Sequence, residues 1–196
     1  MLKRLFDILA SLTGIVILSP FFLIIVLLMI ISSGFPVFYL QTRVGLRGRD
    51  FKLFKFRTMH KDSDKKGLLT VGGRDPRVTA IGYYLRKYKL DELPQLFNVL
   101  FGTMSLVGPR PEVRKYVDMY TKEQQQVLSV KPGITDFASL EYINENELLA
   151  QSANPEQTYI QEIMPAKLAL NMKYIKQQGL GVDMKIIFST ISKIVK

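Results

Sequence analysis

Residues 5–31 read LFDILASLTGIVILSPFFLIIVLLMII, and the nature of this stretch decides what kind of fold the chain adopts. No charged residue occurs between Asp7 and Arg43. As one helix, residues 5–31 would reach about 40 Å, more than the roughly 30 Å hydrocarbon core of a bilayer. Such a segment belongs in a membrane. Ser19-Pro20 stands at its middle, where proline removes a backbone donor and frees the carbonyl four residues back. Bent there, residues 5–18 and 20–31 form legs of only about 20 Å, each too short to cross. Basic residues lie on both sides: Lys3 and Arg4 before, and Arg43, Arg47, Arg49, Lys52, Lys55 and Arg57 after. Since basic flanks stay cytoplasmic, a re-entrant hairpin that enters and leaves by one leaflet satisfies both. A proline-kinked single span, with serine or water re-satisfying the backbone, is the alternative that these residues leave open. A cleaved signal peptide fits less well, because its apolar region would be roughly 7–15 residues.

Outward from this stretch the pattern changes at Val37. Val37-Phe38-Tyr39-Leu40 and Phe51-Lys52-Leu53-Phe54-Lys55-Phe56 are strand-length and aromatic-rich, and Gly45, Gly48 and Asp50 lie between them, so a β-hairpin is expected. Residues 61–75 read as a surface loop. Helical patterning resumes over 78–85 and again through Leu90, Leu93, Phe97 and Leu100, with Gly102 and Gly108-Pro109-Arg110-Pro111 as its stop. Residues 111–128 are a further helix candidate ended by Pro132-Gly133, and 154–178 reads as helix with a restart at Pro165. The tail, 182–196, is amphipathic. Ile187, Ile191 and Ile194 share one face, while Lys185, Ser189, Ser192, Lys193 and Lys196 share the other. It suits a helix lying in the membrane interface or an edge helix packed on the soluble core. The expected fold is therefore α+β and mostly helical, with a membrane anchor over 1–36 and a cytosolic or interfacial domain over 37–196.

Composition narrows the chemistry. The 196 residues suit one ordinary domain, and 47% hydrophobic content excludes a disordered chain. There is no cysteine, hence no disulfide framework, thiolate metal site or cysteine nucleophile. The single histidine, His60, excludes a histidine zinc cluster. A formal charge of +10 asks for nucleic acid, nucleotide phosphate or an anionic membrane as partner. No nucleic-acid motif accompanies that charge.

Carboxylates, hydroxyls, lysines and a hard metal are left to do the chemistry. Asp91-Glu92-Leu93-Pro94 follows Arg86, Lys87 and Lys89. Its bland reading is a helix N-terminus with Asp91 as the cap. The same physics allows an ionised Asp91 to attack phosphorus and form an acyl phosphate, with an adjacent carboxylate holding Mg²⁺. In Gly108-Pro109-Arg110-Pro111, two prolines give Arg110 a rigid mount for phosphate, against the alternative of a solvated arginine in a turn. Lys55 and Arg57 share one strand face, which is either solvated or near headgroups. His60 lacks partner residues and reads as surface.

Seven stretches in this order resemble one family. They are Lys3-Arg4-Leu5-Phe6-Asp7, Ser19-Pro20, Gln41-Thr42-Arg43-Val44-Gly45, Phe54-Lys55-Phe56-Arg57-Thr58-Met59, the run from Leu90 to Val99, the run from Met104 to Pro111, and Lys131-Pro132-Gly133-Ile134-Thr135. The chain resembles the bacterial sugar transferases, monotopic phosphoglycosyl transferases acting on polyprenol phosphate, in their minimal catalytic form. The resemblance implies transfer of a phosphosugar from a UDP-sugar to undecaprenyl or another polyprenol phosphate. UMP is released through a ping-pong cycle with a phosphosugar–aspartate intermediate. It implies Asp91 as nucleophile and Glu92 as the Mg²⁺ ligand. Arg86 and Arg110 are implied to bind substrate phosphate or nucleotide, and Lys55 and Arg57 match a basic motif of the family. It also selects the re-entrant helix for Ser19 and Pro20, on the cytoplasmic face of the bacterial inner membrane with both termini cytoplasmic. Expected partners are the UDP-sugar, the polyprenol phosphate and membrane phospholipid, with no nucleic acid, and a homodimer is compatible. A non-enzymatic, membrane-anchored scaffold for glycan assembly is the rival reading. After Thr135 the chain departs from a common family pattern with Asp136-Phe137-Ala138-Ser139-Leu140-Glu141-Tyr142, so no particular sugar is implied.

Overall fold

The computed structural model describes residues 2–63, 67, 69–72 and 75–195. Parts of the expected 61–75 loop, and Lys196 of the tail's polar face, lie outside the described residues. The apolar stretch is a single helix, α1 (Leu2–Ser33), long and apolar enough to cross a membrane. Its backbone stays helical through Ser19-Pro20 for a local reason. Pro20 offers no N–H to the Val16 carbonyl, and the Ser19 hydroxyl donates to that same oxygen at 2.8 Å instead. A row of aliphatic side chains on α1, including Leu5, Leu9, Leu12, Val16, Leu23 and Leu27, is exposed.

The other face of α1 is buried against the rest of the chain along both legs. Asp7 is buried and accepts from Ser105 Oγ (3.1 Å) and from the Leu106 amide (3.0 Å). Lys3 ion-pairs with the fully buried Asp183 and also donates to the Val107 carbonyl. Arg4 donates to the carbonyls of Val99 and Leu100, the open C-terminal end of another helix. In the second leg, Ile25 and Met29 join Val37, Phe56 and Leu85 in one apolar cluster, and Phe22 packs its ring on Phe56 and Phe97. Lys3 and Arg4, read from the sequence as part of a basic cytoplasmic flank, are engaged by protein partners.

The expected hairpin is present and longer than its aromatic runs. β1 (Phe38–Val44) pairs antiparallel with β2 (Asp50–Phe56), in register from Phe38 opposite Phe56 to Val44 opposite Asp50. Then come α2 (Ala80–Lys87), capped by Thr79 Oγ1 on the Gly82 amide, a 3₁₀ turn (Leu90–Glu92) and α3 (Gln95–Phe101). A small parallel pair, which the sequence pattern did not suggest, joins β3 (Ser105–Val107) to β4 (Gly133–Thr135). Its tightness explains two glycines: a Cβ on Gly133 would sit 2.1 Å from the Gly108 nitrogen.

The helix expected over 111–128 is replaced by a short α4 (Arg114–Val117) and a 3₁₀ turn (Gln124–Ser129). Tertiary bonding overrides propensity here. The Val44 amide donates to the Glu112 carbonyl and Arg43 to the Pro111 carbonyl, holding the segment extended against β1. The C-terminal third is helical: α5 (Phe137–Glu141), α6 (Glu145–Ala150), α7 (Pro155–Thr158), α8 (Met164–Gln177) and α9 (Leu180–Val195). A π turn (Tyr159–Ile163) joins α7 to α8 just before Pro165, absorbing the donor that Pro165 lacks. In α9, Asp183 and Ile186 are buried, whereas Phe188 and Ile191 are exposed. The tail thus packs on the body by one face and shows apolar side chains on another. Mostly helical α+β architecture is what the structure has.

Candidate active site

The site is assembled by four segments that all lean on α1 or on the hairpin. Lys89 closes α2 in the left-handed region (φ 55°), uncommon for a residue with a side chain, and so reverses the chain into the Leu90–Glu92 turn. That turn buries Asp91, which is 6% exposed. Glu92 beside it is gripped by two cations. Arg110 Nη1 donates to Oε2 at 3.0 Å, Arg110 Nη2 donates to Oε1, and Lys55 Nζ of β2 reaches Oε1 at 2.9 Å.

Burial alone would push the Glu92 carboxyl up, but Arg110 and Lys55 outweigh it and hold the group well below the usual range. The Glu92 charge in turn raises Arg110 above its ordinary value, and burial lowers Lys55. Asp91 goes the other way. Burial, aided by the neighbouring Glu92 charge, raises it against the opposing pull of Lys55, Arg86 and Lys89. Among the described residues no donor bonds the Asp91 carboxylate, so it is neither a helix cap nor half of a hydrogen-bonded ion pair. Its lone pairs are free for a substrate.

Arg86, on α2, donates to Thr58 Oγ1 (2.8 Å) and Thr70 Oγ1 (3.1 Å), and its charge acts on Asp91. The structure therefore brings together Asp91, Glu92, Lys55, Arg110 and Arg86. Arg57 lies elsewhere. It is buried at the end of α1, donating to the carbonyls of Ser33, Gly34 and Phe35, which fixes the helix exit. Ser19 and Pro20 sit mid-helix in α1, and His60 is exposed as read.

Three supporting groups stand beyond the residues expected to form the site. Asp136, fully buried, accepts from the Arg110 amide (3.1 Å) and from the Ser139 amide (2.6 Å), so it fixes the Arg110 backbone while capping α5. Arg43 donates to Glu112 Oε1 at 2.9 Å, and Tyr159 donates to Glu112 Oε2, securing the segment after Arg110. Asn98 accepts from the Phe54 amide and donates to the Lys52 carbonyl, stitching α3 to β2. The only hint was a polar residue on an otherwise apolar helix face.

A divalent cation can be judged by the donors available. Among the described residues no group of three His, Cys, Asp or Glu side chains converges. Mg²⁺ needs only one or two protein carboxylates when substrate phosphates and water complete its shell. A carboxylate has about four lone-pair sites. Three on Glu92 are taken by Arg110 and Lys55, one remains, and Asp91 is unengaged. These are the oxygen donors that would be open to such a cation.

The sequence matches the family described as bacterial sugar transferase over residues 1–196. The chain belongs to the bacterial sugar transferase family. Among bacterial sugar transferases, it is 39% identical over 196 residues to the UDP-N-acetylgalactosamine-undecaprenyl-phosphate N-acetylgalactosaminephosphotransferase of Aeromonas hydrophila. That match covers 98% of this chain and 43% of the relative. It is 35% identical to the UDP-glucose:undecaprenyl-phosphate glucose-1-phosphate transferase of Escherichia coli (strain K12), covering 98% of this chain and 40% of the relative. The exopolysaccharide production protein PSS of Rhizobium leguminosarum bv. phaseoli is 36% identical, with 97% and 93% covered. The chain thus spans about two fifths of the first two relatives and nearly all of the third.

Proposed function

We propose that the chain transfers a phosphosugar from a UDP-sugar to a membrane polyprenol phosphate, undecaprenyl phosphate in particular, releasing UMP. The observation that carries this reading is the Asp91 carboxylate: buried, without a hydrogen bond among the described residues, and within the field of Lys55, Arg86 and Lys89. In the first half-reaction an Asp91 oxygen attacks the sugar-bearing phosphorus. An aspartyl O–P bond forms, the bridging P–O bond breaks, and UMP leaves with the bridging oxygen and its electron pair. In the second, an oxygen of the polyprenol phosphate attacks that phosphorus and the aspartyl bond breaks, restoring Asp91 and yielding a polyprenyl diphosphosugar. Arg110 and Arg86 meet phosphate oxygens, and Lys55 keeps Glu92 in place. Mg²⁺, when bound at Glu92, would neutralise charge developing on the diphosphate. The relatives' names carry different sugars, so the sugar is left to a donor panel. A role in bacterial exopolysaccharide or related glycan assembly follows from the same names.

The reading includes a re-entrant α1 at the cytoplasmic face of the bacterial inner membrane, with both termini cytoplasmic. Support comes from packing. Asp7 in the first leg and Ile25 and Met29 in the second are buried against one body that also carries the charged site. A trans-bilayer helix would carry one leg away from that body or drag its charges into hydrocarbon. Because the chain lacks cysteine, single cysteines placed at each end can be labelled cleanly. Protection of both ends from an impermeant reagent in intact cells is expected, and labelling of one end would refute the hairpin.

The decisive experiment for the chemistry is intact mass after incubation with UDP-sugars and Mg²⁺ but without polyprenol phosphate. A phosphosugar adduct lost in Asp91→Asn is expected. Full transferase activity with no adduct would favour direct transfer.

A further inference from the structure

The helix that leads into the Asp91 turn has one face the reaction has not yet used. The inner face of α2 is fixed: Leu85 and Ile81 pack with Ile25 and Met29 of α1, and a Cβ on Gly82 would lie 2.2 Å from the Thr58 carbonyl oxygen. The outer face is bare. Tyr84 on α2 is 61% exposed and Tyr88, just past the C-terminal end of α2, is 48% exposed; α2 docks on the second leg of α1, where Leu27, Leu28 and Ile31 are also exposed. Lys87 Nζ stands 5.5 Å from the centre of the Tyr88 ring. Lys87 and Lys89 have no carboxylate ion-pair partner among the described residues, and Lys89 is two residues from Asp91.

We propose that this face, formed by Tyr84, Lys87, Tyr88 and Lys89, is the track along which the lipid acceptor reaches Asp91. It rests on the phosphosugar-transfer reading of the site. The isoprenoid chain lies against the two tyrosine rings, and the phosphate monoester is handed between the two ammonium groups. Lipid and face are complementary. An acceptor of this class has a long, methyl-branched apolar chain ending in up to two negative charges. The face has flat apolar surface beginning beside the membrane helix and unpaired positive charge ending beside the catalytic carboxylate. Bulk phospholipid headgroups would find cations anywhere around the anchor, whereas only a lipid with a reactive phosphate needs a path ending at Asp91.

The ping-pong scheme separates this proposal from the reading beneath it. The full chain in detergent micelles, without added phospholipid, is given UDP-sugar and Mg²⁺, and the UMP burst is measured before polyprenyl phosphate is titrated in. For Tyr84→Ala/Tyr88→Ala and for Lys87→Glu we expect a burst within about twofold of the parent and a KM for polyprenyl phosphate raised tenfold or more. A normal burst with unchanged acceptor KM overturns the track and leaves the transferase reading standing. Loss of the burst in these variants also overturns it, since the residues would then serve the donor. An effect seen only in phospholipid vesicles and not in micelles assigns the face to the bilayer and overturns it as well. No burst in the parent with any UDP-sugar defeats the underlying reading instead.

Discussion

Asp91 and Glu92 are neighbours in one turn, yet their surroundings drive them apart. Glu92, fastened by Arg110 and Lys55, is an acceptor committed to holding cations, while Asp91 keeps its lone pairs and bears a burial cost that Lys55, Arg86 and Lys89 offset only in part. Asn at position 91 should therefore abolish the adduct and lower transfer by on the order of 10³-fold or more, as loss of a nucleophile does. The same variant should melt higher than the parent at neutral pH. A raised folded-state pKa means that Asp91 costs stability once pH climbs past its unfolded value, so the difference in Tm should vanish below about pH 4. The rate has the matching sign. Attack requires the carboxylate, so the UMP burst should fall on acidification at a higher pH than an ordinary aspartate would impose. Burst amplitudes measured across a pH series check this. Glu92 is opposite: its depressed pKa contributes stability that is lost only as pH falls through that low folded value. Arg110→Lys, which keeps the charge but loses the two-pronged grip, should cost roughly 10–100-fold in transfer.

At the scale of elements, α1 serves as a mounting rail. β2 brings Lys55, the turn before α3 brings Asp91 and Glu92, and β3 leads to Arg110, and each of these segments is tied to α1. Phe56 packs on Ile25 and Met29, Phe97 on Phe22, and Ser105 and Leu106 donate to Asp7. Asp7→Ala leaves the Leu106 amide and Ser105 hydroxyl unpartnered and should destabilise the protein by about 1–3 kcal/mol, readable as a lower Tm in micelles. Ser19→Ala tests the helix middle. It strips the Val16 carbonyl of its substitute donor and should cost about 1 kcal/mol, and Ser19→Thr should restore it.

For the whole molecule, what could be read from the sequence was what neighbours in the chain decide. The apolar run, the glycine-marked hairpin and the Asp91-Glu92 pair each carry their signal within a few residues. The fate of Arg57 did not, because its three carbonyl partners lie more than 20 residues upstream. Nor did β3 and β4, whose three-residue strands are too short for alternation to register. The run at 111–113 is extended where its local pattern predicts helix, because partners on β1 decide it. The same long-range packing yields a further expectation: one apolar cluster takes Ile25 and Met29 from before residue 37 and Val37, Phe56 and Leu85 from after it. Each buried aliphatic is worth roughly 1.5–3 kcal/mol, so residues 37–196 expressed alone should aggregate, as size-exclusion chromatography would reveal.

The ion pair between Lys3 and Asp183 joins residues 180 positions apart. A ribosome adding about 5–20 residues per second needs roughly 10–40 s to travel that distance. Throughout that interval Lys3 lacks Asp183, whereas Asp7 waits only until Ser105 and Leu106 are made, about 100 residues on. Docking of α1 therefore closes in two stages, on β3 first and on α9 later.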